Sequence, residues 1–258
     1  SSKMNTTCKN GSLSTKIDQK IATVEFGHPA SNSFPSELLE RLTKEFYALS
    51  KNEAVAVIIL KSEGNGTFCA GASFDELIAI QNLEEGARFF AGFANVINAM
   101  RTCTKLIIGR VHGKAVGGGV GLAAACDYVL ATDKAAIKLS ELTIGIGPFV
   151  IAPAVERKMG LSGFSELALN ATAWKNAYWA KEKGLFAGVF ESVTELDTEV
   201  ASLSEKLASY NPDALIEMKK ILWKDTSNWK TLLEERAAIS GQLVLSLFTK
   251  NALAKFKK

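Results

Sequence analysis

The chain has 258 residues, 47% hydrophobic and 22% charged, enough for a substantial core in one large α/β domain or a domain plus a small appendage. Basic and acidic residues nearly balance at a formal charge of +3, which argues against a dedicated nucleic-acid binder with its concentrated basic surface. Four scattered cysteines (Cys8, Cys69, Cys103, Cys126) and two histidines (His28, His112) make no metal-ligand spacing, and no apolar run approaches the ~20 residues of a membrane span. The polar opening SSKMNTTCKNGSLS lacks the apolar centre of a signal peptide. The expectation is a soluble cytoplasmic protein with reduced thiols, no metal and no membrane association.

Residues 1–12 read as a flexible N-terminus, followed by two alternating segments in 13–26 that predict a hairpin. His28-Pro29 opens a loop, and Pro35 stands at a helix start with an apolar stripe from Leu38 to Leu49. Residues 54–60 (AVAVIIL) have the length and continuous apolarity of a strand buried on both faces. A Gly-rich loop, 62–71, comes next, then a short irregular helical segment over 73–83 and a longer helix over 84–100. A strand is expected at 106–111, a small-residue helix from Gly118, and short extended pieces at 128–131 and 137–139. Beyond Pro148 the pattern becomes helical, at 150–160, 162–170, 176–183, 195–210, 212–224 and 229–247, with a short strand near Val189-Phe190. The alternation of strand and helix favours a largely parallel, layered α/β core over 13–195, with a helical C-terminal region over 196–258.

Two Gly-containing loops, Cys69 to Ala72 and Gly117 to Gly119, follow two buried strands, where ligand sites of layered α/β folds collect. One backbone N–H from each, converging, would form a two-donor oxyanion hole, with one donor at a helix N-terminus. The same glycines equally suit tight turns and close helix–sheet packing. Their spacing is not GxGxxG, and Gly113-Lys114 precedes Ala115 rather than Ser or Thr, so neither phosphate-loop motif is present. Glu141, in KLSELTIGIGP, is either a partly buried carboxylate suited to proton transfer or a solvated charge. Asp127 reads as a structural residue ending the small helix, Asp75 and Glu76 as solvated, and His112 as a packing or hydrogen-bonding side chain. Cys69 has no neighbouring base to mark it as a nucleophile.

The segments TFCAGASFDEL, VHGKAVGGGVGLAAACDYVLAT and KLSELTIGIGP, in this order and spacing, resemble the crotonase (enoyl-CoA hydratase/isomerase) superfamily over nearly the whole chain. The resemblance implies a spiral of ββα units with a helical C-terminal trimerisation region, and a homotrimer or homohexamer. It implies that Ala72 and Gly118 bind the thioester carbonyl of an acyl-CoA, with Ala70, Gly71, Ser73, Gly117, Gly121 and Phe149 around the substrate. The CoA adenine would lie near Ala70 to Ser73, with Lys255 to Lys258 as candidates near the CoA phosphates. No separate cofactor is expected, because coenzyme A is part of the substrate.

Of three acid/base positions in the family, the first corresponds to Gly121, the second to Glu141 and the third to Phe149, so one acid remains. An Asp usual after the first oxyanion-loop alanine is replaced by Ser73. The implied function is chemistry on an enoyl-CoA through a stabilised enolate with Glu141 as general acid/base. Either hydration of a 2-enoyl-CoA, a branched one included, or double-bond isomerisation fits; dehalogenation and dienoyl isomerisation are set aside for want of acids. The alternative is a non-catalytic acyl-CoA-binding or complex-forming homologue. RNA binding has only the C-terminal lysines behind it. Pocket-lining side chains are expected from 77–93 and 149–155.

Overall fold

The computed structural model describes residues 10–256. Residues 1–9 with Cys8, and Lys257 and Lys258, lie outside this range, and with them most of the 1–12 assignment.

Strands β1 (Ser12–Asp18) and β2 (Ile21–Gly27) form the expected antiparallel hairpin. β3 (Val57–Ser62), β4 (Leu106–Val111), β6 (Tyr128–Thr132) and β9 (Gly188–Phe190) extend it in the order β1-β2-β3-β4-β6-β9, every pairing after the first being parallel. β4 is buried at all six positions, as a strand covered on both faces must be. On one face lie helices α1 (Ser36–Lys51) and α3 (Leu83–Thr102), separated in sequence by the short α2 (Phe74–Ile78). Leu38, Leu42 and Phe46 of α1 and Ile97 and Met100 of α3 are fully enclosed in the main core.

A second, three-stranded sheet joins β5 (Ala115–Val116) and β7 (Ala136–Lys138) in parallel and β8 (Lys175–Asn176) antiparallel. Its two-residue strands carry too little pattern to be visible in the sequence. Between β5 and β6 runs α4 (Gly118–Ala125), with seven of its eight residues buried. Its small side chains let a helix occupy the centre of the domain.

The helical region comprises α5 (Ala152–Leu169), α6 (Ala177–Glu182), α7 (Val193–Ser209), α8 (Pro212–Leu222), α9 (Trp229–Leu243) and α10 (Leu247–Ala254). The two helices expected at 150–160 and 162–170 are the halves of α5, kinked where Gly160 takes φ 73°. The single helix expected over 229–247 is two, since Ser246 leaves helical geometry and caps α10 by accepting from the Thr249 N–H. The strand expected at 54–60 starts later, because Asn52 accepts from the Ala54 N–H and closes a turn over 52–55.

α7 covers the other face of the main sheet, its Leu196 and Val200 packing on Val57, Ile59, Ile108 and Leu130. α9 crosses α3 at Gly86 and Gly241; a Cβ on Gly86 would lie 2.7 Å from the Gly241 carbonyl. Asp127 locks α8 to the sheet with a side chain 3% exposed. Its carboxylate accepts from Lys219 Nζ (2.7 Å), Trp223 Nε1 (2.7 Å) and the Ile107 N–H (2.8 Å), so the structural reading of this residue holds.

Candidate active site

The two glycine loops converge because backbone hydrogen bonds clamp them together. Cys69 donates its N–H to the Lys114 carbonyl and accepts from the Val116 N–H, bridging the loop after β3 to β5. On the other side, the Phe34 N–H donates to the Gly71 carbonyl and the Ser73 N–H donates to the Phe34 carbonyl. In such a parallel bridge the intervening residue, Ala72, points its own N–H the opposite way, and no acceptor for it exists among the described residues. Gly71 takes φ +93°, and a Cβ there would sit 2.9 Å from the Val116 carbonyl and 3.3 Å from the Gly118 nitrogen. The two loops are therefore in direct contact. Gly118 is the first residue of α4, and its N–H likewise has no intrachain acceptor among the described residues.

Glu141 opens a 3-10 turn, Glu141–Ile144, that leaves β7 and ends at Gly145 with φ 84°. Its Oε2 lies 3.3 Å from where a Cβ on Gly117 would stand, so the carboxylate rests on the backbone next to the Gly118 donor. The residue as a whole is half-buried, yet Oε1 is shut off from solvent and has no hydrogen-bond partner. Loss of hydration penalises the anion and pushes the carboxyl up to about 7, against a smaller opposing pull from its own backbone amide. Helix α10 steadies this turn: Thr249 Oγ1 donates to the Ile144 carbonyl at 2.6 Å, and Phe248 packs against Gly145.

These groups open onto one cavity of about 400 Å³. Ala70, Gly71, Ala72, Gly117, Gly118, Glu141 and Phe149 line it, as expected. Leu77, Phe89, Phe90 and Phe93 on one side and Val150 and Ile151 on the other supply apolar walls from the two anticipated segments. Glu141 is the one carboxylate among the lining residues.

Two expected members are absent. Ser73 does not line the cavity; its hydroxyl accepts from the Glu76 N–H as the N-cap of α2. Gly121 is buried inside α4, where a Cβ would meet Ile151 Cγ2 at 2.3 Å, so Ile151 fills the space a larger side chain would need. Glu76 is not solvated either. It accepts from both the N–H and the hydroxyl of Ser36, satisfying the start of α1. Cys69 is wholly buried with its thiol pushed up to about 12, which removes it as a nucleophile. His112 lies outside this cavity.

Lys138, Ser140, Thr143, Ser240 and Phe256 line the cavity without having been anticipated. Ser240 and Phe256 come from α9 and the end of α10, more than 90 residues after Glu141, and nothing local in the sequence signals such an approach. Among the described residues, Phe256 rather than Lys255 is the C-terminal residue that lines the cavity, and its ring meets Phe74 edge-on at 5.3 Å.

The enoyl-CoA hydratase/isomerase family profile matches residues 16–255. The chain belongs to this family. A peroxisomal Delta(3,5)-Delta(2,4)-dienoyl-CoA isomerase of Arabidopsis thaliana is 29% identical over 206 residues, covering 74% of this chain and 72% of the relative. A probable enoyl-CoA hydratase of Bacillus subtilis is 27% identical over 214 residues, covering 83% and 82%. The crystal structure of an enoyl-CoA hydratase from Bacillus halodurans superposes with a TM-score of 0.88 at 21% identity, over 94% of this chain and 99% of that one. The crotonase fold is thereby established, and the enzyme is of hydratase/isomerase type. No helix among the described residues is long and apolar enough to cross a membrane.

Proposed function

We propose that the chain isomerises an enoyl-CoA, moving its double bond into conjugation with the thioester through an enolate. The observation that carries this reading is the single carboxylate, Glu141, held near neutral pKa beside two unpaired backbone donors in a cavity with aromatic and aliphatic walls.

The thioester carbonyl accepts from the Ala72 and Gly118 N–H groups. Glu141 takes a proton from C2 of a 3-enoyl thioester, and the electrons of that C–H bond move onto the carbonyl oxygen. The two donors stabilise this charge where it develops. The same carboxyl returns the proton at C4, leaving the double bond between C2 and C3. A group with pKa about 7 gives up and regains the proton with little free-energy difference at neutral pH, which suits it to both halves. The aromatic and aliphatic walls favour an apolar acyl chain.

Hydration, named in several relatives, needs a water to be oriented and deprotonated as well. With Ile151 against Gly121 there is no second carboxylate to share that task. Exposed Leu161, Leu169, Leu247 and Phe248 support assembly into a homotrimer or a pair of trimers.

The test is a matched pair of assays on 3-enoyl- and 2-enoyl-CoA, followed by the absorbance of the conjugated thioester. Conjugation should appear from the first substrate and persist in the second. Faster loss of conjugation from the 2-enoyl-CoA would make the enzyme a hydratase. Tight acyl-CoA binding without turnover of either would make it a non-catalytic binding protein.

A further inference from the structure

Ser240 lines the active-site cavity and has no part in the proposed reaction. The buried face of α9 consists of Trp229, Leu233, Ala237, Ser240 and Gly241, and Ser240 carries its only hydroxyl. A hydroxyl within a helix ordinarily returns to the carbonyl four residues back, as Ser204 does to Val200 (2.6 Å) and Thr43 to Leu39 (2.8 Å). Ser240 is 1% exposed, yet its hydroxyl makes no hydrogen bond among the described residues. Nor is its oxygen one of the described side-chain atoms that are both unpaired and shut off from solvent, which belong to Thr15, Ser62, His112 and Glu141. The small opening of this residue is therefore at its hydroxyl, and the space it opens on is the cavity.

Helix α3 fixes how deep that hydroxyl lies. Phe93 rests on the Gly118 donor, where a Cβ would meet its ring at 2.4 Å. Two turns earlier, Gly86 meets Gly241, the neighbour of Ser240, at 2.7 Å from its own would-be Cβ. Gly86 and Phe93 are seven residues apart, a rise of roughly 10 Å along the helix. Phe89 and Phe90 line the cavity between them. A chain that leaves the Gly118 donor and follows α3 thus ends against Ser240. The same end is walled by Leu77, Phe89 and Ile146, in one apolar cluster with Val244, whose N–H donates to the Ser240 carbonyl.

We propose that Ser240 is a specificity-determining residue, its hydroxyl pairing with a neutral oxygen, a hydroxyl or carbonyl, on the far part of the acyl chain. This deepens the proposed function, resting on its placement of the acyl-CoA and not on the isomerisation step. Apolar walls hold the chain itself, and a single hydrogen-bonding group among them discriminates for an oxygen and against the chain that lacks it. The group is neutral because Lys138 is the one cation lining the cavity, and it belongs to β7 rather than to the wall made by α3 and α9. A carboxylate at the Ser240 end would be buried without a counter-charge.

Hexanoyl-, octanoyl- and decanoyl-CoA, each with and without a terminal hydroxyl, are titrated into the full-length protein by calorimetry. These saturated chains bind without turnover, so the result is independent of isomerisation, which the 3-enoyl-CoA assay tests separately. At the length that reaches Ser240, the hydroxylated chain should bind about tenfold tighter than the plain one. Ser240→Ala, a change well tolerated inside a helix, should abolish that difference. Absence of a hydroxyl preference at every length, or a preference that survives in Ser240→Ala, would overturn the proposal. So would equal weakening of both chains in Ser240→Ala, which would make the residue a packing element, or tighter binding of the matching chain ending in a carboxylate.

Discussion

Glu141 combines an unpartnered, solvent-shielded oxygen with a carboxyl pKa raised to about 7. In Glu141→Gln the proton shuttle is gone while the cavity keeps its shape. Turnover should fall by about 10²–10⁴, the usual range for one general acid/base, with acyl-CoA affinity retained by calorimetry. Because the first step needs the carboxylate, kcat/KM for the wild type should decline as pH falls through about 7. The same shift has a stability consequence of opposite sense. The folded state holds its proton more tightly than the unfolded chain, so stability is greatest below the unfolded value of 4.5 and is lost as pH rises to about 7. Glu141→Gln should therefore melt higher than wild type above pH 7, with the gain vanishing in acid; ~1 kcal/mol corresponds to about 2–4 °C at this chain length. A melting difference independent of pH would contradict the burial of this carboxyl. Asp127 carries a different kind of charge. Asp127→Asn leaves Lys219, 4% exposed at its side chain, without a counter-charge, and a loss of about 3–5 kcal/mol should appear in denaturant titrations.

Among the elements, α10 has the most direct hold on the reacting group, through the Thr249 hydroxyl on the Ile144 carbonyl and Phe248 on Gly145. Thr249→Val keeps the side-chain shape and removes that hydroxyl, loosening the turn that aims Glu141. We expect kcat to drop severalfold with KM little changed, since Thr249 does not line the cavity; a change in KM alone would show that α10 acts on binding instead. The break between α9 and α10 that creates this arm was invisible in the apolar pattern of 229–247. Ser246 reads as an ordinary helical residue until its hydroxyl caps Thr249. The main strands were legible for the opposite reason: β3, buried from Val57 to Leu60, lies in the continuous apolar run AVAVIIL. Strands β5 and β8, two residues each, owe their existence to neighbours rather than to their own composition.

At the scale of the whole molecule, large apolar side chains remain uncovered, with Leu161 67%, Leu169 74% and Leu247 74% exposed. Sedimentation at micromolar concentration should show a trimer or hexamer as the main species, and a monomer would remove the assembly from the proposal. The sequence alone determined the parallel α/β core, the family resemblance, the two glycine loops and the lone acid. These rest on burial patterns and backbone freedoms that each segment carries locally. Tertiary structure decided which way the Ala72 N–H points, how dry Glu141 is, and that Ile151 occupies the room beside Gly121. It also brought Ser240 and Phe256 to the cavity. Those are properties of contacts between distant segments, and desolvation, unlike hydrophobic periodicity, exists only once the chain has closed around a group.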